Sequence, residues 1–384
     1  MTLNSKTGHI MPHGVPLPQI DLPPSTKTVK VSIIDTTSRL GGLPATELFE
    51  PKVRGFDTFL GPSYAFLVEH EPSGDKLVFD LGMRKDILDH TPAILAKFEG
   101  VDLQVTKNVS DILEENNVDL RSIKDIIWSH YHYDHTGDPS VFPPSTNLVV
   151  GPGFRKIVGA GYPQDKDSPC ASSAWENRNL AELDFTTDVR AMKTRVGRWK
   201  ALDWFGDGSF YVLHSLGHTH DHLCGLARTK LATADSNSST PKDEFILMGG
   251  DVTHHGGEYK PNELVPIPDS IAPDPRRAPF SNGDCVCPGE LYAQRNRRYA
   301  RDEDRWRGPF LEWQREYSDD HEEAQRSVGM LRDFDAQDNV FVIAAHDGTL
   351  LDIVDFYPKD AKQWREMGWK REAYWRFLRD FEEA

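Results

Sequence analysis

Short apolar runs alternate along most of the chain with polar stretches rich in glycine and proline, the pattern of a fold made from many short strands. Val29 to Ile34 alternates enough to be a first strand. Ser63–Glu69 and Lys76–Asp80 predict two more, joined by a turn at Pro72-Ser73-Gly74-Asp75. Thr91 reads as an N-cap with Pro92 at the first helical position, and a second helix is predicted over Val109–Asn116. Ile123 to Trp128 reads as a buried strand and Asn147–Val150 as a short one, while residues 161–195 are mixed and predict surface loop. A second β-rich half begins near Ser209, with strands at Phe210–His214, Leu223–Lys230 and Glu244–Met248 and a polar hairpin loop at Ala234–Asp243. Asn339–Ala345 is a further apolar run, read as a buried strand.

The ends and one internal stretch break this rhythm. Five prolines (Pro12, Pro16, Pro18, Pro23, Pro24) make residues 1–28 an irregular N-terminal arm. Residues 256–318 turn loop-like and proline-rich, then charged and helical; a stretch of that length inside a compact domain predicts a lid insertion. From Lys370, Ala373, Phe377 and Phe381 recur at i, i+4, i+8, which predicts a C-terminal helix over 370–383 with one face seeking a core. Residues 29–384 are thus expected to form one elaborated domain.

Composition narrows the function. The chain has 384 residues, 38% hydrophobic and 27% charged, ordinary for a globular enzyme. Lys and Arg number 44 against 60 Asp and Glu, a net charge of −16, which disfavours nucleic acid and anionic membranes as partners. No apolar run approaches the roughly 18 residues of a membrane span, and the first residues lack the apolar core of a secretory signal. Cys170, Cys224, Cys285 and Cys287 show no CxxC pair, so free thiols and a cytoplasmic location are expected. The partner expected is a small molecule; the oligomeric state is left open, a dimer being one option.

The chemistry is concentrated in Ser129-His130-Tyr131-His132-Tyr133-Asp134-His135-Thr136-Gly137-Asp138. Four side chains able to hold a metal fall within six residues. His130 and His132 share a parity on an extended chain, and Asp134 and His135 fall where a turn or helix start bends the chain back. His and Asp suit Zn²⁺ and similar divalent ions. Three later predicted strands each deliver another such residue just past their ends, in Leu216-Gly217-His218-Thr219, Gly249-Gly250-Asp251 and Ala344-Ala345-His346-Asp347. Other chemistries lack their signatures: GxSxG and HExxH are absent, and Gly151-Pro152-Gly153 lacks the third glycine of a dinucleotide loop.

HxHxDH followed by a later His, an Asp and a final His resembles the metallo-β-lactamase superfamily, and within it the lactonase and glyoxalase-like branch of N-acyl homoserine lactonase-type hydrolases. The resemblance spans roughly Val29 to Val354. It implies an α+β architecture, an αββα sandwich of two mixed β-sheets flanked by helices, holding two zinc ions. His130, His132 and His218 would bind the first, Asp134, His135 and His346 the second, and Asp251 would bridge them. His222 matches a position that supports the site without binding metal, His220 is expected at the surface, and Asp80 matches a buried acid that supports the ligands. Related lactonases carry a tyrosine three residues past the bridging aspartate; here that place is His254, a candidate catalytic donor or a residue facing the lid.

The activity implied is opening of a cyclic ester by a hydroxide bridging the two ions, with Asp134 orienting the nucleophile. A cyclic amide or carbamate, such as a benzoxazolinone-type γ-lactam, is the runner-up. A thioesterase and a non-catalytic binding module of the same fold are further alternatives.

Overall fold

The computed structural model describes residues 15–232, 242–281 and 287–381. Residues 15–28 run without regular structure, as their prolines require, and are tied down at Val15, Pro18, Pro23 and Ser25 by backbone and side-chain hydrogen bonds. Residues 1–14 of the expected arm, most of the hairpin loop near 234–243, and Cys285 lie outside the described residues, as do the last residues of the expected helix.

Two large sheets carry the molecule. The first is formed by β1 (Lys30–Pro44), β2 (Thr58–His70), β3 (Asp75–Phe79), β4 (Asp102–Gln104), β5 (Ile123–Ile127), β6 (Asn147–Val150) and β7 (Leu180–Glu182). Their order across the sheet is β4-β1-β2-β3-β5-β6-β7, antiparallel up to β3 and parallel from β3 to β7. The second contains β8 (Arg195–Val196), β9 (Trp199–Asp203), β10 (Phe210–His214), β11 (Leu223–Lys230), β12 (Glu244–Met248) and β13 (Val340–Ile343), in the order β13-β12-β11-β10-β9-β8. Both sheets are mixed, because β13 joins β12 in parallel while the other pairs are antiparallel.

Period-two alternation places each strand's side chains in two different cores. Ile33, Phe66, Val68 and Phe79 face Phe210, Val212, Ile246 and Met248 between the sheets. Their neighbours Ile34, Ala65, Leu67 and Val78 face outward onto the helix Val109–Glu115 and the turn of helix Phe154–Val158. Tyr211, Leu213, Leu226 and Leu247 likewise turn outward onto Val328, Leu331 and Phe334 of the helix His321–Asp335. Helix, sheet, sheet, helix: the four layers match the expected αββα sandwich.

Several boundaries differ from those read in the sequence. The first strand runs to Pro44 rather than Ile34, carried past Asp35 by irregularities in its pairing with β2. Residues 161–195, read as loop, contribute β7 at the sheet edge and the helix Val189–Lys193. The second sheet starts at Arg195, before Ser209. The expected helix at 370–383 is instead a helix Trp369–Ala373 followed by 3-10 turns over Arg376–Phe381.

Residues 256–318 have a core of their own. Ile267, Ile271, Cys287, Tyr292, Trp306, Phe310 and Trp313 pack with Phe49 and Phe56 from the β1–β2 connection, with Phe59 at the start of β2 and with Phe377, Leu378 and Phe381 from the C-terminal turns. Glu312–Trp313 forms a two-residue antiparallel ladder with Phe49–Glu50. This satellite core stands beside the sandwich at the edge where the histidines gather. Cys170, Cys224 and Cys287 are buried free thiols.

Candidate metal centre

Each candidate ligand follows a strand end on that edge. After β5 the chain bends through Ser129–His132 and turns into a single helical turn, Tyr133–Thr136. His130 and His132 therefore sit in a bend, not on the extended strand the parity argument assumed, and Asp134 and His135 lie on the helical turn. β10 leads to His218, β12 to Asp251 and β13 to His346. β3 ends beside Asp80, whose backbone takes a left-handed φ of 60°.

These residues converge into two groups sharing one member. His130, His132, His218 and Asp251 form the first; Asp134, His135, His346 and Asp251 form the second; within each group the ligand atoms lie within 4.8 Å of one another. Asp251 stands between the groups. Its Oδ2 is 3.6 Å from His130 Nε2 and 3.5 Å from His218 Nε2, while Oδ1 is 3.0 Å from His135 Nε2 and 3.2 Å from His346 Nε2. Asp134 Oδ2 is 3.3 Å from His346 Nε2.

In three of the histidines the nitrogen turned away from the centre is tied to the protein. His346 Nδ1 donates to Pro62 O at 2.7 Å and His135 Nδ1 to Asp80 Oδ2 at 2.9 Å. His130 Nδ1 pairs with Ser129 Oγ at 3.0 Å. Such outer partners fix the ring and leave the other nitrogen's lone pair aimed inward. His130 Nε2, His135 Nε2 and Asp251 Oδ1 are buried with no hydrogen bond among the described residues. His132 Nδ1 and His218 Nε2 face each other at 3.1 Å. Two inward nitrogens at that separation, beside buried polar atoms without partners, fit a site that holds a cation.

Electrostatics point the same way. Burial and the neighbouring imidazoles hold His130 and His218 well below the usual histidine range, and burial takes His132 down to about 4. In the second group burial also disfavours charge, yet the carboxylates of Asp251 and Asp134 outweigh it and raise His135 and His346. Burial would push Asp251 up, but His135, His346 and His254 hold it well below the usual carboxylate range. A divalent ion between the groups would supply positive charge to these carboxylates with every imidazole neutral. An all-nitrogen and oxygen donor set with no cysteine suits zinc and its first-row neighbours.

The remaining candidates separate cleanly. His222 donates Nδ1–H to Ser215 O, and its Nε2 accepts the backbone N–H of Asp251 at 2.9 Å. Both nitrogens are occupied, so it braces the aspartate. His220 is exposed, and Cys224 donates its thiol to Gly249 O. His255 turns into the satellite core, bonded to Asp380 and in edge-on or tilted ring contact with Phe49, Phe56 and Phe381. Tyr133 packs on His90 and Phe98.

His254 remains at the centre, with Nε2 3.3 Å from Asp251 Oδ2. Its ring and His346 line a cavity of about 360 Å³ whose walls include Phe56, Phe59, Leu60 and Phe377, with Arg39 and Arg379 also lining it. Two further contributors carry no local sequence signal. Glu258 Oε2 accepts from Thr253 Oγ1 and from the backbone N–H groups of His254 and His255, clamping the loop after Asp251. Trp313 lies flat on His254.

Residues 58–152 match the family model described as the metallo-beta-lactamase superfamily. The chain is 42% identical over 380 residues to Gamma-lactamase FDB1 of Fusarium pseudograminearum (strain CS3096), covering 95% of this chain and 85% of that protein. It is 35% identical over 374 residues to Cytochrome P450 monooxygenase mpaDE of Penicillium roqueforti (strain FM164), covering 96% of this chain but only 39% of that longer protein. Among solved structures, a mutant of AiiA of B. thuringiensis with N-decanoyl-L-homoserine bound at the active site superposes with a TM-score of 0.54 at 13% identity, over 87% of this chain and all of that one. At that identity the likeness establishes the fold.

Proposed function

The chain belongs to the metallo-β-lactamase superfamily, and from that premise we propose that it is a two-zinc hydrolase that opens a small cyclic amide, a γ-lactam. A cyclic ester is the second substrate class, because the same acyl chemistry opens it. The observation that carries the reading is the pair of His and Asp groups sharing Asp251, with the outer nitrogens of His130, His135 and His346 tied to the protein and His130 Nε2, His135 Nε2 and Asp251 Oδ1 buried without a hydrogen bond among the described residues. The name of the 42% identical relative favours the amide over the ester.

In this reading His130, His132 and His218 hold one ion, Asp134, His135 and His346 the other, and Asp251 both. When bound, the ions supply Lewis acidity toward an acyl oxygen and bring the pKa of water from 15.7 to about 7. The chain supplies the rest. Asp134 Oδ2 accepts a hydrogen bond from the attacking water and carries a proton to the ring nitrogen that leaves, so the amine departs neutral. His254 donates a ring N–H to the acyl oxygen as charge builds on it. Phe56, Phe59 and Phe377 supply an apolar part of the cavity wall, which shields those contacts from water on that side.

Metal analysis of the purified protein, followed by a panel of lactams, lactones and thioesters read by pH-stat, tests the proposal. Two equivalents of zinc and turnover of the lactams are expected. Asp251→Ala and His218→Ala should lose metal and reduce hydrolysis by on the order of a thousandfold or more. Full activity in either variant contradicts the assignment.

A further inference from the structure

Trp313 reaches the metal centre from residues 256–318 and is held on three sides. Its backbone pairs with Phe49, its indole N–H donates to Tyr317 O at 3.2 Å, and its ring meets the Phe49 ring edge-on at 5.0 Å. The indole that results lies face to face with the His254 imidazole, 3.5 Å between ring centroids and 9° between planes. His218 meets the same imidazole at 4.7 Å, and His346 stands 5.6 Å away, nearly parallel to it. The backbone of His254 is fixed separately, through its N–H to Glu258 Oε2 at 2.6 Å.

What is not fixed by hydrogen bonding is the His254 ring. Its Nε2 stands 3.3 Å from Asp251 Oδ2, and among the described residues the ring makes no hydrogen bond. With no hydrogen bond to set it, the ring's orientation and tautomer rest on its contact with Asp251 and on packing. A catalytic donor must be held to about half an ångström to act. The stack with Trp313 is the contact able to do this, since rotating the imidazole about its side-chain bonds breaks the overlap. His254 also lines the 360 Å³ cavity.

We propose that Trp313 is a positioning residue for the ring-opening reaction, holding the His254 imidazole so that a ring N–H reaches the substrate's acyl oxygen. The inference rests on the functional reading above and extends it to the insertion: residues 256–318 complete the site by bracing its donor. His254 gives a hydrogen bond and keeps its proton throughout.

The test compares Trp313→Leu, Trp313→Phe, His254→Ala and the double variant Trp313→Leu/His254→Ala in zinc-loaded enzyme. Trp313→Leu should lower kcat by about 10–100-fold with KM within about threefold, because the donor acts in the transition state. It should keep both zinc ions. Trp313→Phe, which keeps a flat ring, should restore kcat to within about threefold of the parent. The double variant should be no slower than His254→Ala alone, since a residue acting through another adds nothing once that partner is gone. Proton NMR of the metal-free protein gives a second readout: His254 ring signals, assigned by their loss in His254→Ala, should be shifted upfield by the indole and lose that shift in Trp313→Leu. Unshifted signals in the parent, parental kcat in Trp313→Leu, loss of zinc from that variant, or multiplicative losses in the double variant each overturn the proposal. A parent inert toward every cyclic amide and ester would overturn the function and this role with it, while the ring shift would still report the stack.

Discussion

At this site His130, His135 and His346 each give one ring nitrogen to the protein and turn the other inward, and the protein-facing partner decides how the ring stands. Asp80 shows the principle most sharply. Its two oxygens accept the Ser129 backbone N–H at 2.6 Å and His135 Nδ1–H at 2.9 Å, and burial raises its pKa even against those bonds. Asp80→Asn is the clean probe, because asparagine tolerates the left-handed backbone that Asp80 adopts whereas alanine does not. An amide can accept at only one end, so one of the two donors would face an NH₂ group. We expect zinc affinity at the Asp134–His135–His346 group to fall by about 10–100-fold, read by competition with a chromogenic chelator, with the fold intact by circular dichroism. Parental affinity in that variant would remove Asp80 from the site. At this scale the sequence was informative: four of the seven proposed ligands stand in one HxHxDH cluster, three follow predicted strand ends, and the family resemblance singled out His218 and Asp80. Trp313 and Glu258 could not be picked out, since an indole in an insertion and a glutamate seven residues past Asp251 carry no spacing that marks them. The parity argument for His130 and His132 reached a correct pairing through a wrong conformation, a bend in place of a strand.

At the scale of elements, the loop carrying His218 is held by a helix that follows it by more than a hundred residues. Asp320 N–H donates to Gly217 O and Asp319 N–H to His218 O, from just before the helix His321–Asp335, and Ser327 Oγ within that helix donates to Leu216 O at 2.6 Å. The approach is close enough that a Cβ on Gly217 would lie 2.0 Å from the backbone nitrogen of Ala324, and φ at Gly217 is 125°, which side chains disfavour. Gly217→Ala should therefore cost about 3 kcal/mol or more, from backbone strain and overpacking together. It should also weaken zinc binding at the His130–His132–His218 group. The control is Gly329→Ala on the same helix, where an added Cβ meets nothing within 4 Å; it should be neutral or stabilise by up to about 1 kcal/mol. Equal urea midpoints for the two variants would mean that the helix does not brace the loop. Strands were legible where they are buried on both faces and bounded by turn residues: β6, β10, β11 and β12 have the ends the sequence predicted. β7, β8 and the far half of β1 were not, because edge and bulged strands take their shape from neighbours distant in the chain.

For the whole molecule, four cores must stay closed around a centre rich in buried histidine, and this makes acid a specific threat. The long stretch at 256–318 reads as a loop because its apolar residues are too scattered to show a period. They find partners in residues 45–59 and in the C-terminal turns, and only the spacing of Ala373, Phe377 and Phe381 hinted at a core there. Outside the metal centre, burial depresses His90 and His214 to about 4 each; His90 is edge-on to Phe98 and Tyr133, and His214 lies flat on Phe185. Both are neutral in the folded chain, whereas in the unfolded chain each takes up a proton near pH 6.5. Between about pH 6.5 and 4 the unfolded state therefore binds more protons. The stability these two residues allow is present in full above pH 6.5 and is lost as the pH falls toward 4. The slope is at most about 1.4 kcal/mol per pH unit for each residue, less here because both rings keep some contact with solvent. Metal-free protein unfolded in urea at pH 7.5 and at pH 5 should lose stability between the two, and the double variant His90→Gln/His214→Gln should lose measurably less. Metal-free protein is the right material, since zinc release from the ligand histidines falls with pH in the same direction and would mask the effect. Identical losses in the parent and the double variant would place the acid sensitivity wholly in the metal-binding histidines and acquit these two.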